Sequence, residues 1–380
     1  MKTNLKKLLY SGVTLMSLGV LAACSSTSSS TTTSSSVTTS QSATGSSNST
    51  ASNSSSSTID WSALPTTEVT LSNDGLKITE GGTYILTGST TAGVTVETDA
   101  NVRIVLAGAE ISSSDTAAIN VIQAGSVELE IKNGTSNTVK DTSNHSDTNI
   151  EGAIHVEADL TITGNGSLTV EANFQDGIVS TDDMVVNAGN IKVTAVDDGI
   201  RGKDSMTVNG GAIDVTAGGD GIKSTNDTDT TKGYTTITGG DITVKAGDDA
   251  IKAETSLTID GGTITVPESA EALEGTNITI NGGTLDVYGA DDAINAASTI
   301  STDIFIKVTG GDLKVAVGSG DTDGFDANGD IYISGGTIDV TAQSAFDFDG
   351  TAELTGGTVT VNGEQITQIT ATGPGGRGGW

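Results

Sequence analysis

The sequence predicts an all-β protein wound as a right-handed parallel β-helix, a solenoid of about 22 residues per coil. Three observations predict it. The first is an internal period, carried by Asp176-Gly177-Ile178, Asp198-Gly199-Ile200, Asp220-Gly221-Ile222, Asp249-Ala250-Ile251, Glu271-Ala272-Leu273, Asp292-Ala293-Ile294 and Asp323-Gly324-Phe325. The apolar anchors closing these triplets are spaced by 22, 22, 29, 22, 21 and 31 residues. The two long steps hold polar insertions, Asn226 to Lys232 and the stretch near Ala297 to Asp303. The second is an independent marker: glycine pairs begin at 210, 239, 261, 282, 310, 335 and 356. The third is local patterning. Leu257-Thr258-Ile259, then Gly261-Gly262, then Thr263-Ile264-Thr265-Val266 alternates β-branched residues between glycine turns, the mark of short strands.

Three short strands per repeat, stacked ~4.8 Å apart, place equivalent Ile, Val and Leu side chains in one continuous interior. Weaker repeats from Val69 to Val139 form the first coils, with Ile104, Leu106, Ile111 and Ile119 expected inside. A twisted β-sandwich is the competing architecture, but it needs no fixed period.

The segments outside the repeat are read from composition. Residues 1–23 form a signal peptide, with Lys2, Lys6 and Lys7 ahead of a short apolar stretch from Leu8 to Val20. Leu21-Ala22-Ala23-Cys24 then resembles the lipobox of bacterial lipoproteins, which makes Cys24 the expected lipidated residue. Residues 24–58 form a tether: 27 of the 34 residues from Ser25 to Thr58 are Ser or Thr, too polar to fold. The β-helix is assigned to 59–363 and a glycine-rich tail to 364–380. This layout predicts a lipid-anchored protein on the outer face of the bacterial cell membrane, touching the membrane only through its anchor, and a monomer.

Charge excludes more. The chain has 48 Asp+Glu against 17 Lys+Arg, a formal net charge of −31, which repels nucleic acid and attracts cations. One Cys and two His leave no disulfide framework and no thiolate or imidazole metal cluster. A bound metal must therefore take oxygen ligands, favouring calcium or magnesium. His145 and His155 lie in no nucleophile motif and read as ordinary surface or strand residues.

The repeat stacks its acids as well as its core. The position two before each anchor forms a column of Asp176, Asp198, Asp220, Asp249, Glu271, Asp292 and Asp323, thickened by Asp197, Asp248 and Asp291 one residue earlier. Like charges ~4.8 Å apart repel by about 3.5 kcal/mol at an effective dielectric of 20, before screening by water. Bound Ca2+ would offset that repulsion, and so would the column one residue past the anchor, Arg201, Lys223 and Lys252. The simpler alternative is that each Asp caps its own turn. Asp321, Asp323, Asp326, Asp347 and Asp349 make a second acid-rich group near the C-terminus.

Beyond these local arguments, the signal and lipobox, the Ser/Thr tether, Gly166-Ser167-Leu168-Thr169-Val170, Asp176-Gly177-Ile178 and the run Asp197-Asp198-Gly199-Ile200-Arg201-Gly202-Lys203-Asp204 resemble a family of secreted bacterial carbohydrate-binding proteins. The resemblance covers roughly Val69 to Gly363. It implies a polysaccharide-lyase-like β-helix that carries calcium and binds cellulose-like or acidic, pectin-like glycans, without established catalysis. Arg201, Lys203, Lys223 and Lys252 are then the expected cationic contacts to a glycan, and Phe174, Tyr234, Tyr288 and Phe325 the aromatic ones. Two alternatives stay open: a calcium-dependent pectate-type lyase with Arg201 as its base, and a passive surface adhesin or spacer.

Overall fold

The computed structural model describes residues 59–320 and 322–371. The expected signal peptide, Cys24, the whole tether through Thr58, Asp321 and the final glycine-rich residues lie outside the described residues. Among the described residues one 3-10 turn, Trp61–Ala63, precedes the strands, capped by the Asp60 carboxylate, which accepts from the Ser62 N–H. All remaining regular structure is β.

The strands stack into parallel ladders. One joins Val127–Ile131, Leu160–Thr163, Asp183–Val186, Ser205–Val208 and Tyr234–Ile237 in turn. A second joins Ser136–Lys140, Ser167–Ala172, Asn190–Ala195, Ala212–Ala217, Asp241–Lys245 and Thr263–Glu268. The third, the anchor ladder, joins Ile119–Gln123, Gly152–Val156, Asp176–Ser180, Ile200–Gly202, Ile222–Ser224 and Ile251–Ile259. Its register runs Ile178, Ile200, Ile222, Ile251, Leu273, Ile294, Phe325, which is the register their spacing predicts. Both insertions loop out between strands while Ile222 still pairs with Ile251 and Ile294 with Phe325.

Strands of the second ladder alternate inward and outward residues, as in Asn190–Ala195 and Ala212–Ala217, whereas Gly152–Val156 and Asp176–Ser180 of the anchor ladder are buried throughout. Ile104, Leu106, Ile111 and Ile119 are all buried, as expected. Stacked like pairs such as Met184 on Met206 and Ile191 on Ile213 fill the interior, and Phe325 stacks on Phe346 with ring centroids 5.3 Å apart. Each such side chain contributes roughly 1.5–3 kcal/mol by leaving water.

The glycine pairs are steric requirements. At Gly335-Gly336 the second residue sits at φ +87°, and a Cβ on the first would lie 2.1 Å from the Thr309 carbonyl oxygen of the preceding repeat. Only glycine permits both the turn and the close stacking.

One boundary differs from the sequence-based expectation. Glu364–Ile366 does not belong to a structureless tail: it folds back antiparallel on Thr358–Val361, and Ile369 is buried beyond it. The hairpin turns at Asn362 and Gly363, both at positive φ, where short polar residues and glycine are tolerated. It covers one edge of the second ladder with antiparallel pairing.

Candidate metal centre

The acid column lies along the anchor ladder. Glycine or alanine follows each acid, and the next residue turns inward as the anchor, so the acid is held at the strand's entry. Asp176, Asp198, Asp220 and Asp249 are buried, whereas the doubled neighbours Asp197, Asp248 and Asp291 are exposed. In each double acid the first residue faces water and the second is drawn toward the ladder.

The buried acids do not cap their own turns. The Asp198 N–H donates to Asp176 Oδ1 (3.2 Å), the Asp220 N–H to Asp198 Oδ1 (2.9 Å) and the Asp249 N–H to Asp220 Oδ1 (2.9 Å). Farther along, the Asp323 N–H donates to Asp292 Oδ1 at 2.7 Å, and the Ser344 hydroxyl donates to Asp323 Oδ1. Asp176, Asp198, Asp220 and Asp292 thus each bridge to the backbone of the next repeat. Such charge-assisted bonds help offset the repulsion along the column.

The cation column does the rest over the first half. Arg201 Nη2 lies 2.7 Å from Asp176 Oδ2 and also pairs with Glu151. Lys223 Nζ lies 2.5 Å from Asp198 and 2.9 Å from Asp220, and Lys252 Nζ lies 2.8 Å from Asp249 while also pairing with Glu274. Burial alone would pull these cations toward neutrality, but the flanking carboxylates outweigh it and hold all three above their ordinary values. Their side chains are only 17%, 17% and 23% exposed. Arg201, Lys223 and Lys252, expected as cationic contacts to a glycan, are thus each ion-paired with neighbouring acids. Lys203 alone of the four is exposed.

From Glu271 onward the same position carries Glu274, Asn295, Asp326 and Asp347 in place of cations. Two groups of carboxylate oxygens converge within 4.8 Å: Asp220, Asp248 and Asp249, and Asp249, Glu271 and Glu274. Burial pushes Glu271 up to about 7, against a hydrogen bond from Asn295 Nδ2 (2.9 Å to Oε2). Burial and the facing Glu274 carboxylate raise Asp249 well above the usual carboxylate range. Asn295 Oδ1, beside Glu271, is shielded from solvent and receives no hydrogen bond from the described residues. Three crowded carboxylates and an oxygen with no donor form an all-oxygen set of the kind that suits calcium, with the Lys252 ammonium, paired to Asp249 and Glu274, as the cation an ion there would displace or join.

Glu274 and Asn295 were missed by sequence reasoning, although the signal was present: both continue the column of Arg201, Lys223 and Lys252 by one and two repeats. Asp176 and Asp198, expected as metal ligands, are ion-paired as Asp220 and Asp249 are, but belong to neither converging oxygen group among the described residues. Asp292 and Asp323 lie farther along the ladder, where burial, then Asp292, Asp323, Asp347 and Asp349, push Asp326 up to about 7.

Of the histidines, His145 lies in a loop, whereas His155 occupies the Arg201 column two repeats earlier. His145 is buried in a loop rather than at the surface, between Asp141 Oδ2 (3.1 Å from Nε2) and the Ile150 carbonyl, and stacks on Phe174. His155 is a strand residue that burial, aided by Arg201, pushes down to about 4. Of the other aromatics, Phe325 is core, Tyr288 is half-buried and Tyr234 is exposed.

Ladders of short parallel strands edged by acids define a class, all-β proteins resembling polysaccharide lyases. A solved structure of the polysaccharide lyase-like protein from C. thermocellum, a gadolinium derivative, matches with a TM-score of 0.53 at 33% identity, covering 60% of this chain and 90% of that one. Residues 72–324 match the family of carbohydrate-binding domain-containing proteins, and the chain belongs to that family. A carbohydrate-binding domain-containing protein of Acetivibrio thermocellus is 32% identical over 135 residues. That alignment spans 33% of this chain and 47% of the relative, under half of its length.

Proposed function

We propose that this protein binds polysaccharide at the bacterial cell surface, using a calcium-stabilised right-handed parallel β-helix held to the membrane through lipidated Cys24. The winding into a helix rests on the parallel ladders and the 22-residue period, and its hand on the strong right-handed preference of parallel crossovers. The anchor and location rest on the lipobox and the Ser/Thr tether, and the ligand class on family membership.

The observation that carries the calcium reading is the oxygen group of Asp249, Glu271 and Glu274 with Asn295 Oδ1 beside it. These residues would hold the ion, and Asp220 and Asp248 would extend the site. Bound there, calcium would add to the single Lys252 charge that Asp249 and Glu274 share, and would supply coordination positions open to the carboxylate or hydroxyl oxygens of a sugar. The protein's own part is to fix the carboxylates in register at the strand entries.

The lyase alternative asks Arg201 to act as a base. Its guanidinium sits between Asp176 and Glu151, which both contact Nη2 and favour the protonated form. That geometry suits an ion-pair partner better than a base. The test is binding of the full chain to polygalacturonate and to cellulose, with calcium and with chelator, alongside an absorbance assay for unsaturated uronate. Calcium-dependent retention without product supports the proposal; product formation lost in Arg201→Ala supports the lyase; no retention on any glycan supports a passive spacer.

A further inference from the structure

The two insertions in the repeat meet in space. The loops after Ser224 and after Ala296 flank the strands Ile251–Ile259 and Leu273–Ile280 and enclose a trough of about 440 Å3. That volume falls in the ~300–1,000 Å3 range of small-molecule sites. Its walls include Thr231, Tyr234, Ser256, Asn277, Ile300 and Ser301, and no carboxylate, ammonium or guanidinium lines it. In a chain of net charge −31 an uncharged hollow is a departure from the rest of the surface. Tyr234 and Ile300 are each 37% exposed, among the most exposed large apolar side chains of the described residues.

The walls are held in place before any ligand arrives. Asn226 Oδ1 accepts from the Thr228 and Asp229 N–H groups, and Asn226 Nδ2 donates to Asp204 at 2.7 Å. In the other loop Ser298 Oγ accepts from the Ile300 and Ser301 N–H groups, and Thr276 Oγ1 ties Ser298 to the ladder at 2.8 Å. Such preorganisation lowers the ordering cost of binding. A second hollow of about 320 Å3 shares Thr276 and Ile300 with the trough and reaches Lys252 and Glu274, so the trough opens toward the candidate metal centre.

We propose that this trough is a subsite for an uncharged sugar unit of a glycan chain, separate from the metal centre and independent of calcium. The assignment rests on the carbohydrate-binding reading above and adds where a neutral unit sits. Hydroxyls and an amide that both donate and accept match sugar hydroxyls, while Tyr234 and Ile300 offer apolar surface to the C–H face of a ring. Lacking a cation in a strongly negative field, the trough disfavours a uronate.

The test is calorimetric titration of the full chain in chelator with neutral linear hexaoses of glucose, mannose and xylose, and in calcium with hexagalacturonate. Tyr234→Ala and Ile300→Ser both change exposed side chains, so each variant is expected to fold. The expected result is that at least one neutral hexaose binds without calcium and that each substitution weakens it about tenfold, leaving hexagalacturonate binding unchanged. Neutral binding that neither substitution alters, or hexagalacturonate binding with no neutral binding, overturns the trough assignment and leaves the broader reading standing. No binding of either kind overturns both.

Discussion

The two halves of the acid ladder answer one electrostatic problem differently. From Asp176 to Asp249 each carboxylate finds a cation on the neighbouring column, Arg201, Lys223 or Lys252, and the charges cancel inside the protein. From Glu271 onward that column turns to Glu274, Asn295, Asp326 and Asp347, and carboxylates crowd together, with Lys252, shared between Asp249 and Glu274, the last cation at the boundary. The backbone register is the same in both. What differs is one side chain per repeat, and it decides whether the ladder edge is self-neutralised or poised for an external cation.

The largest way to break the comparison is at Arg201. Arg201→Met leaves Asp176 buried beside Glu151 without its cation and is expected to destabilise by about 3 kcal/mol, read from denaturant unfolding of the full chain. Adding Asp176→Asn should recover most of the loss, because the buried charge then disappears as well. Full stability in the single variant would show that the first half is not held by its ion pairs.

Glu274→Lys converts the first repeat of the acidic half into the pattern of the other half. Two changes then oppose each other, because Asp249 and Glu271 gain a cation while the Lys252–Glu274 pair is lost; stability in chelator is expected to shift by less than about 1 kcal/mol, and the response to calcium to shrink by half or more. An undiminished calcium response would move the ion elsewhere.

A pH-dependent contrast separates the halves further. Asp326 is raised from 3.8 to about 7, so the folded protein keeps a proton that the unfolded chain releases between those values. Stability from this group is therefore present in acid and lost as pH rises toward 7. Asp326→Asn removes the loss: a gain of about 1 kcal/mol at pH 8, after allowance for solvent screening, should vanish below pH 4. Thermal unfolding in chelator at the two pH values checks it. The smallest effect is expected at exposed Lys203, where Lys203→Ala should change stability by less than about 0.5 kcal/mol.

Much of this was legible in the sequence because a stacked repeat turns spacing into geometry. The 22-residue steps predict that Ile178 lies under Ile200, and glycine pairs mark turns that only glycine can make. The same logic located the acid column. What the spacing did not disclose is how side chains are spent. Arg201, Lys223 and Lys252 look like binding cations in a string of letters, yet partial burial between carboxylates commits them inward. Glu274 and Asn295 were hidden because they break the column's chemistry while keeping its register. The hairpin at Glu364–Ile366 escaped because it departs from the period, and the meeting of the two insertions depends on loop paths that no repeat encodes.

The central claim is that the acidic half of the ladder holds calcium, and thermal unfolding of the full chain with calcium and with chelator tests it most directly. A ligand bound only by the folded state stabilises it by about 2.7 kcal/mol at a hundredfold excess over its Kd, which for a folded region of this size raises the midpoint by roughly 4 °C. The account predicts that rise in the natural chain and its reduction in Glu274→Lys. Coincident midpoints with and without calcium would contradict it.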